Sequence, residues 1–231
     1  MNLRIFESPE ELHRAVARTL VQRIAGRQSA SIAISGGSTP KPLYTMLGAP
    51  PWREELAKTA ITWVVVDERY VPIDDPQSNA GMIEKTLFAQ GISPSHRFLR
   101  FHTELHDPAR TAAVFEEEWK LLLRRADVSS ATAADETSAL HIVMLGVGDD
   151  GHTASLFPGT PVLDVEDRIA SEVFVPRLDA WRVTITKPVI RAAGVRLVLA
   201  PGKQKVIEEV RAGARHPIAL VTEGVETWWY V

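Results

Sequence analysis

The stretch "ALHIVMLGVGDDGHTASLFPGT" (139–160) decides how this chain is read. Its first eight residues are a near-continuous apolar run that ends at a glycine. Runs of that length, apolar on both faces, belong to the buried strands of a parallel sheet. The glycines that follow, Gly146, Gly148 and Gly151, fit the G-x-G-x-x-G spacing of a dinucleotide loop. Asp149 and Asp150 would then set two negative charges beside a pyrophosphate, and the motif lies deep in the chain rather than in a first βαβ unit. The nucleotide reading is therefore rejected. In the alternative, the glycines bend the chain so that it presents Asp150 and His152. An imidazole held by a carboxylate serves as a general base near neutral pH. A hydrogen-bonded turn histidine is the plainer alternative, and the residues by themselves leave both open.

Working outward, the same kind of run recurs at "SIAIS" (31–35), "ITWVVVDE" (61–68, its buried strand Ile61–Val66), "VRLVLA" (195–200) and "PIALV" (217–221), each read as holding a buried strand. Helical segments lie between them. Ser8, Pro9 and Glu11 form a capping box at the start of a helix whose buried face repeats at Leu12, Val16, Leu20 and Ile24. Further helices are expected from Pro40 to Leu47 and over 78–90, 107–126 and 202–213. The alternation predicts one α/β domain over residues 1–231. It is doubly wound, with a mainly parallel central sheet covered by helices on both faces and a small excursion near 160–186. "DVSSATAADETSA" (127–139) is the most linker-like stretch, too short to separate domains. The C-terminal "TWWYV" looks exposed, to be packed on the core or on another subunit.

Composition narrows the function classes. A formal net charge of -3 gives no electrostatic reason to expect nucleic acid or an anionic membrane as partner. The absence of cysteine excludes disulfides, thiolate metal sites and a cysteine nucleophile, and suits a cytoplasmic location. No apolar run approaches membrane-spanning length, and the N-terminus has no signal-like apolar segment. His102 and His106 stand four apart, but a helix starting at Asp107 leaves them in a loop without a third ligand. No metal is expected.

In a doubly wound fold, ligands bind beyond the carboxyl ends of the strands. Two more turns fall there. "SGGSTP" combines Gly36 and Gly37, which free backbone N–H groups, with the hydroxyls of Ser35, Ser38 and Thr39. That is the chemistry of an anion site, although an ordinary strand-to-helix turn with a capping serine has the same composition. "DERYVP" puts Asp67, Glu68 and Arg69 past a core strand, where by itself a solvated end with an internal ion pair explains it. Arg177 and Arg182, and Lys203 and Lys205 in "PGKQK", supply positive charge suited to phosphate oxygens.

The blocks "SGGSTP", "DERYVPIDDPQSNAGM", "LGVGDDGHTASLFPGT", "RVTIT" and "PGKQK" resemble, in order, the motifs of the 6-phosphogluconolactonases. They span residues 35 to 205, and that family is related to the glucosamine-6-phosphate isomerases (deaminases). The resemblance implies hydrolysis of 6-phospho-D-glucono-1,5-lactone to 6-phospho-D-gluconate, in the oxidative pentose phosphate pathway, with a sugar-phosphate lactone as partner and no cofactor or metal. It implies that His152 is the base that activates water and that Asp150 orients it. Ser35 to Thr39, Arg182 and Lys205 match phosphate-binding positions. Arg69 replaces the tyrosine of the isomerases' "DEY", and Arg177 joins the substrate-binding set. Asp67 is the carboxylate to take the base's role if His152 does not.

The isomerases carry a glutamate five residues after this histidine, and here Phe157 occupies that place. A sugar-phosphate isomerase is thus the alternative within the fold. A non-catalytic sugar-phosphate-binding module is a third reading, for which the chain offers no basic DNA-binding helix. Oligomeric state is not readable from the residues.

Overall fold

Seven strands run in one direction because the segments that join them are helical crossovers. The computed structural model describes residues 1–126 and 140–231, so the linker-like stretch 127–139 lies outside the described residues. The main sheet contains β1 (Asn2–Arg4), β2 (Ser29–Ile34), β3 (Ala60–Val65), β5 (Arg97–Leu99), β6 (Ile142–Gly146), β9 (Val195–Leu199) and β10 (Thr227–Tyr230). Their order is β1-β10-β9-β6-β2-β3-β5, and every pairing is parallel. From β2 the chain winds outward through β3 to β5. It then returns to β2's other side as β6 and winds the opposite way through β9 to β10. The reversal between β2 and β6 is a topological switch point. All five residues of β9 are buried, as a strand covered on both faces requires.

The helices are α1 (Pro9–Ile24), α2 (Lys41–Leu47), α3 (Trp52–Leu56), α4 (Asn79–Thr86), α5 (Pro108–Ala126), α6 (Lys187–Ala192), α7 (Gln204–Arg211) and α8 (Pro217–Thr222). Ser8 caps α1 as its sequence predicts, with Oγ accepting from the Glu11 amide at 3.2 Å. In α2 the cap position is Pro40 and no side chain bonds the first amides, so the "SGGSTP" turn has no capping serine.

One expectation is refined and one fails, each for a physical reason. The strand expected over Ile61–Val66 is β3, and what was not expected is a second strand directly after it. The main sheet keeps the run only to Val65, and β4 (Asp67–Arg69) belongs to a second, antiparallel sheet with β7 (Ala170–Val175) and β8 (Ala180–Ile185), in the order β4-β8-β7. Val66 is the joint, donating its amide to Ile34 of β2 and accepting at its carbonyl from Ile185 of β8. The excursion read near 160–186 holds two of these three strands.

"PIALV" is helix α8 rather than a last core strand. A short apolar run does not distinguish a buried strand from a buried helix, and Pro217 sits where a first helical turn tolerates a missing amide and a central strand does not. The last core strand is β10, inside the "TWWYV" segment that looked exposed. Trp229 and Tyr230 have no exposed surface, and the Tyr230 hydroxyl donates to Thr19 of α1 at 2.8 Å. β10 is sandwiched between β9 and the edge strand β1.

One buried charge is part of this frame. Arg196 of β9 is 2% exposed, and its guanidinium donates to the carbonyls of Ile190 and Arg191 in the last turn of α6 and of Glu226. Burial, with the nearby Arg191 charge, brings its pKa down to about 10, and the carbonyl dipoles of the helix end compensate its charge.

Because β10 is an interior strand, Trp229→Ala should lower unfolding free energy by about 3–5 kcal/mol, the range for truncating a large buried aromatic. Urea unfolding followed by circular dichroism measures this, and a loss below about 1 kcal/mol would show that the C-terminal strand is peripheral.

Candidate active site

The turns after β2, β3, β6 and β9 all open at the carboxyl edge of the main sheet, and those after β2 and β6 flank the switch point. The Ser35 hydroxyl donates across this point to the Met144 carbonyl of β6 at 2.8 Å, and the buried Tyr44 hydroxyl donates to the Ser35 carbonyl at 2.5 Å. Ser35 is buried, so its side chain joins two strands. Gly36 and Gly37 are partly exposed, Ser38 is exposed, and Thr39 is partly exposed with its carbonyl against His13 Nε2 of α1 at 3.0 Å.

The turn after β6 carries the histidine. Its glycine pattern serves the side chains rather than a nucleotide. A Cβ on Gly148 would come 2.1 Å from the His152 ring and 2.9 Å from Asp150 Oδ1, so only glycine lets the chain fold back beneath that pair. The Gly148 amide donates to the His152 carbonyl at 2.9 Å and closes the turn. His152 Nδ1 lies 2.5 Å from Asp150 Oδ1, and the Asp150 carboxylate also accepts from the His152 amide at 3.2 Å. A carboxylate acceptor places the proton on Nδ1, leaving Nε2, which has no hydrogen-bond partner among the described residues, as the basic nitrogen. The ring stacks on Phe157 with centroids 4.2 Å apart.

Arg177, in the turn between β7 and β8, contacts the second Asp150 oxygen at 2.7 Å and lies over the Phe157 ring. Burial alone would raise the Asp150 pKa. The hydrogen bonds from the His152 ring and amide, with the charges of His152 and Arg177, outweigh it and hold the carboxyl below its ordinary value. Next to it Asp149 is paired with Lys203 of the β9 turn, whose hydrogen bond lowers the Asp149 pKa.

A second cluster forms where β4 meets β8. Asp67 is buried and accepts from the Ser155 hydroxyl at 2.7 Å, which ties it to the histidine turn three residues beyond His152. Glu68 is not a free acid. Its carboxylate accepts from the amides of Arg69, Asn79 and Ala80 and from the Ser78 hydroxyl, anchoring the start of α4. Asn79 in turn donates to the Asp67 carbonyl at 2.7 Å, and its side chain fills the space beside Gly36. Arg69 and Arg182 are direct cross-strand partners. Neither guanidinium pairs with a carboxylate among the described residues; Arg69 donates to the Gln77 carbonyl and Arg182 to that of Trp181. Burial and then the Arg69 charge depress the Arg182 pKa, with Asp67 and Glu68 opposing. Two like charges placed opposite one another are unfavourable unless an anion joins them.

The structure therefore brings His152, Asp150 and Arg177 into one cluster and Asp67, Arg69 and Arg182 into another, joined through Ser155. Lys205 is in neither. It lies on α7, 87% exposed, with Glu209 of its own helix 3.8 Å away. Sequence reasoning did not find Asn79, Ser155 or the support from Phe157, though all three stand inside the quoted motif blocks. The His102/His106 pair flanks a short 3-10 turn, and His102 contacts Glu104 and Glu118. Among the described residues no group of three or more acidic or histidine side chains is arranged to hold a metal ion, and no helix is long and apolar enough to cross a membrane.

The chain is similar to known proteins over nearly its whole length. Residues 7–229 match the family described as glucosamine-6-phosphate isomerases/6-phosphogluconolactonase. A 6-phosphogluconolactonase of Synechocystis is 36% identical over 210 residues, covering 87% of this chain and 80% of that protein. The solved 6-phosphogluconolactonase from Trypanosoma cruzi superposes with a TM-score of 0.81 at 28% identity, over 99% of this chain and 95% of that one. A monomeric glucosamine-6-phosphate deaminase shares the fold, with a TM-score of 0.78 at 18% identity, over 99% of this chain and 96% of that one. By sequence and by fold, this chain belongs to the glucosamine-6-phosphate isomerase/6-phosphogluconolactonase family.

Proposed function

We propose that the chain is a single-domain hydrolase of 6-phospho-D-glucono-1,5-lactone, giving 6-phospho-D-gluconate in the oxidative pentose phosphate pathway. The observation that carries the reading is the His152 ring, fixed through Nδ1 by Asp150 and backed by Phe157. Nε2 takes a proton from a water as the water oxygen bonds to the lactone carbonyl carbon. The tetrahedral intermediate collapses with cleavage of the bond between that carbon and the ring oxygen. The leaving oxygen takes the proton back from the imidazolium and becomes a hydroxyl, while the new carboxylic acid ionises. The base contributes roughly a hundred- to ten-thousand-fold, and an activated ester needs no covalent nucleophile.

Phe157 also weighs against the isomerase reading. It is buried against His152 and carries no exchangeable proton where those enzymes have a glutamate. The Arg69–Arg182 pair, two guanidiniums without an acidic partner among the described residues, is assigned to an anionic part of the substrate, with Gly36, Gly37, Ser38 and Thr39 offering amides and hydroxyls. Ser35 supports that turn from within. Arg177 acts by holding Asp150. Lys205 is kept as a phosphate ligand only on the family match, since its long side chain must swing from Glu209 to reach the turns.

Replacing His152 with Ala should lower kcat by about a hundredfold or more, near 2.7 kcal/mol of barrier, with product affinity little changed. A folded variant that keeps its rate would reduce the histidine to a turn residue and make Asp67 the next base to test.

The pH profile follows from Asp150. Because its pKa is depressed, Asp150 stays ionised and keeps its hold on the His152 Nδ1 proton until the pH falls below the usual carboxylate range. Activity is therefore present on the alkaline side and lost as pH falls. Asp150→Asn removes that titrating carboxylate and should take the acid limb it causes out of the kcat/KM profile. An unmoved limb would separate Asp150 from the base.

Arg182→Ala should raise KM for the phosphorylated lactone about ten- to hundredfold, the worth of a charge-assisted hydrogen bond, and leave unphosphorylated gluconolactone nearly unaffected. Lys205→Ala measured in parallel tests whether that exposed lysine joins the same site. Equal effects of Arg182→Ala on both substrates would remove the arginine from phosphate binding.

A further inference from the structure

Behind the histidine turn stands a second histidine that the reaction as described does not use. His216 immediately precedes Pro217, at the start of α8, and its ring lies against the peptide between Asp150 and His152. A Cβ built on Gly151 would fall 2.5 Å from His216 Cβ and Cγ and 2.7 Å from its Nδ1. Gly151 is buried and has φ +73°, so glycine is demanded there both by the backbone and by the ring packed onto it. The next turn of α8 fixes the same residue from its other end, with the Ile218 amide donating to the Gly151 carbonyl at 3.0 Å. The ring is itself held, because His216 Nε2 is 2.8 Å from Glu209 Oε2 of α7. The turn between the two catalytic side chains thus rests on α8 and, through Glu209, on α7.

We propose that His216 is a positioning residue: its imidazole, oriented by Glu209, is the wedge that sets the Asp150–Gly151–His152 peptides and so the geometry of the Asp150–His152 pair. The inference rests on the reading of His152 as general base. Bonds within the turn, from the Gly151 amide to the Gly148 carbonyl at 3.0 Å and from the Thr153 hydroxyl to the Gly146 carbonyl at 2.8 Å, close it on itself and leave its outer side to His216. Gly148 closes its mouth, and Gly151, at its base, has no side chain with which to pack for itself. A flat ring at position 216 supplies the missing surface. A small side chain there would leave a gap into which the Gly151 peptide moves, displacing His152 Nε2 from the attacking water. A misplacement of about 1 Å costs on the order of a hundredfold in rate when the base must lie within hydrogen-bond reach.

Four variants of the full chain test this. His216→Ala should lower kcat at least tenfold with KM for the phosphorylated lactone within about twofold. His216→Phe keeps a flat ring against Gly151 and should stay within about threefold of the wild-type kcat. Gly151→Ala should lose activity through the clash with the His216 Cβ and ring, and adding His216→Gly to it, which removes both, should recover part of the loss. A readout independent of turnover is the low-field proton resonance bridging His152 Nδ1 and Asp150, assigned by its disappearance in His152→Ala. That resonance should shift or broaden in His216→Ala and persist in His216→Phe. The proposal is overturned if His216→Ala leaves kcat and the resonance unchanged, or if the Ala and Phe variants lose activity alike. Retained activity in His152→Ala would instead sink the general-base reading, while the resonance still decides whether His216 positions the ring.

Discussion

The pairing of β2 with β6 is the constraint on which the rest of the site depends. The two strands lie side by side and parallel, yet the chain leaves them in opposite directions, toward β5 on one side and β10 on the other. Crossovers that diverge in this way cannot cover the carboxyl ends between them, so a crevice opens where they part. The bond from Ser35 to Met144 closes the floor of that crevice, and Tyr44 fixes Ser35 from the α2 side. The turns that follow are therefore free to carry chemistry instead of closing the core.

The second sheet completes one wall. Val66 hands the chain from the main sheet to the antiparallel one within a single residue, bonding to both. That transfer sets Asp67 against Ser155 and Arg69 across from Arg182. The β7–β8 turn then reaches back so that Arg177 meets Asp150. Charges that would repel or go unpaired in a folded core are in this way gathered at one edge. Glu68, buried but saturated by amide donors, holds α4 in place so that Asn79 can fill the space beside Gly36. The Asp150–His152 and Arg69–Arg182 clusters are two faces of one polar layer laid over an apolar sheet.

Much of this was legible because it is local. Ser8, Pro9 and Glu11 announce a helix start, since a cap depends on neighbours three residues apart. Apolar runs at 31–35, 139–146 and 195–200 announce parallel strands, since burial on both faces leaves no alternation. Asp150 and His152 could be paired on paper because a turn brings i and i+2 together. By contrast, "PIALV" misled, because burial alone makes a short helix and a short strand look the same. "TWWYV" misled for the opposite reason: nothing near it in the sequence shows that β9 and β1 will flank it.

By itself the sequence determined the winding of strands and helices, the glycine turns and the family motifs, because each is written in spacing over a few residues. Only the tertiary structure decided which charges meet. Arg69 faces Arg182 across 113 positions because β4 and β8 pair. Arg177 supports Asp150 rather than standing alone, Lys205 points to Glu209, and His216 lies beneath Gly151. These contacts join segments far apart in the chain, and their partners are selected by sheet register and crossover direction, which no short window of residues records.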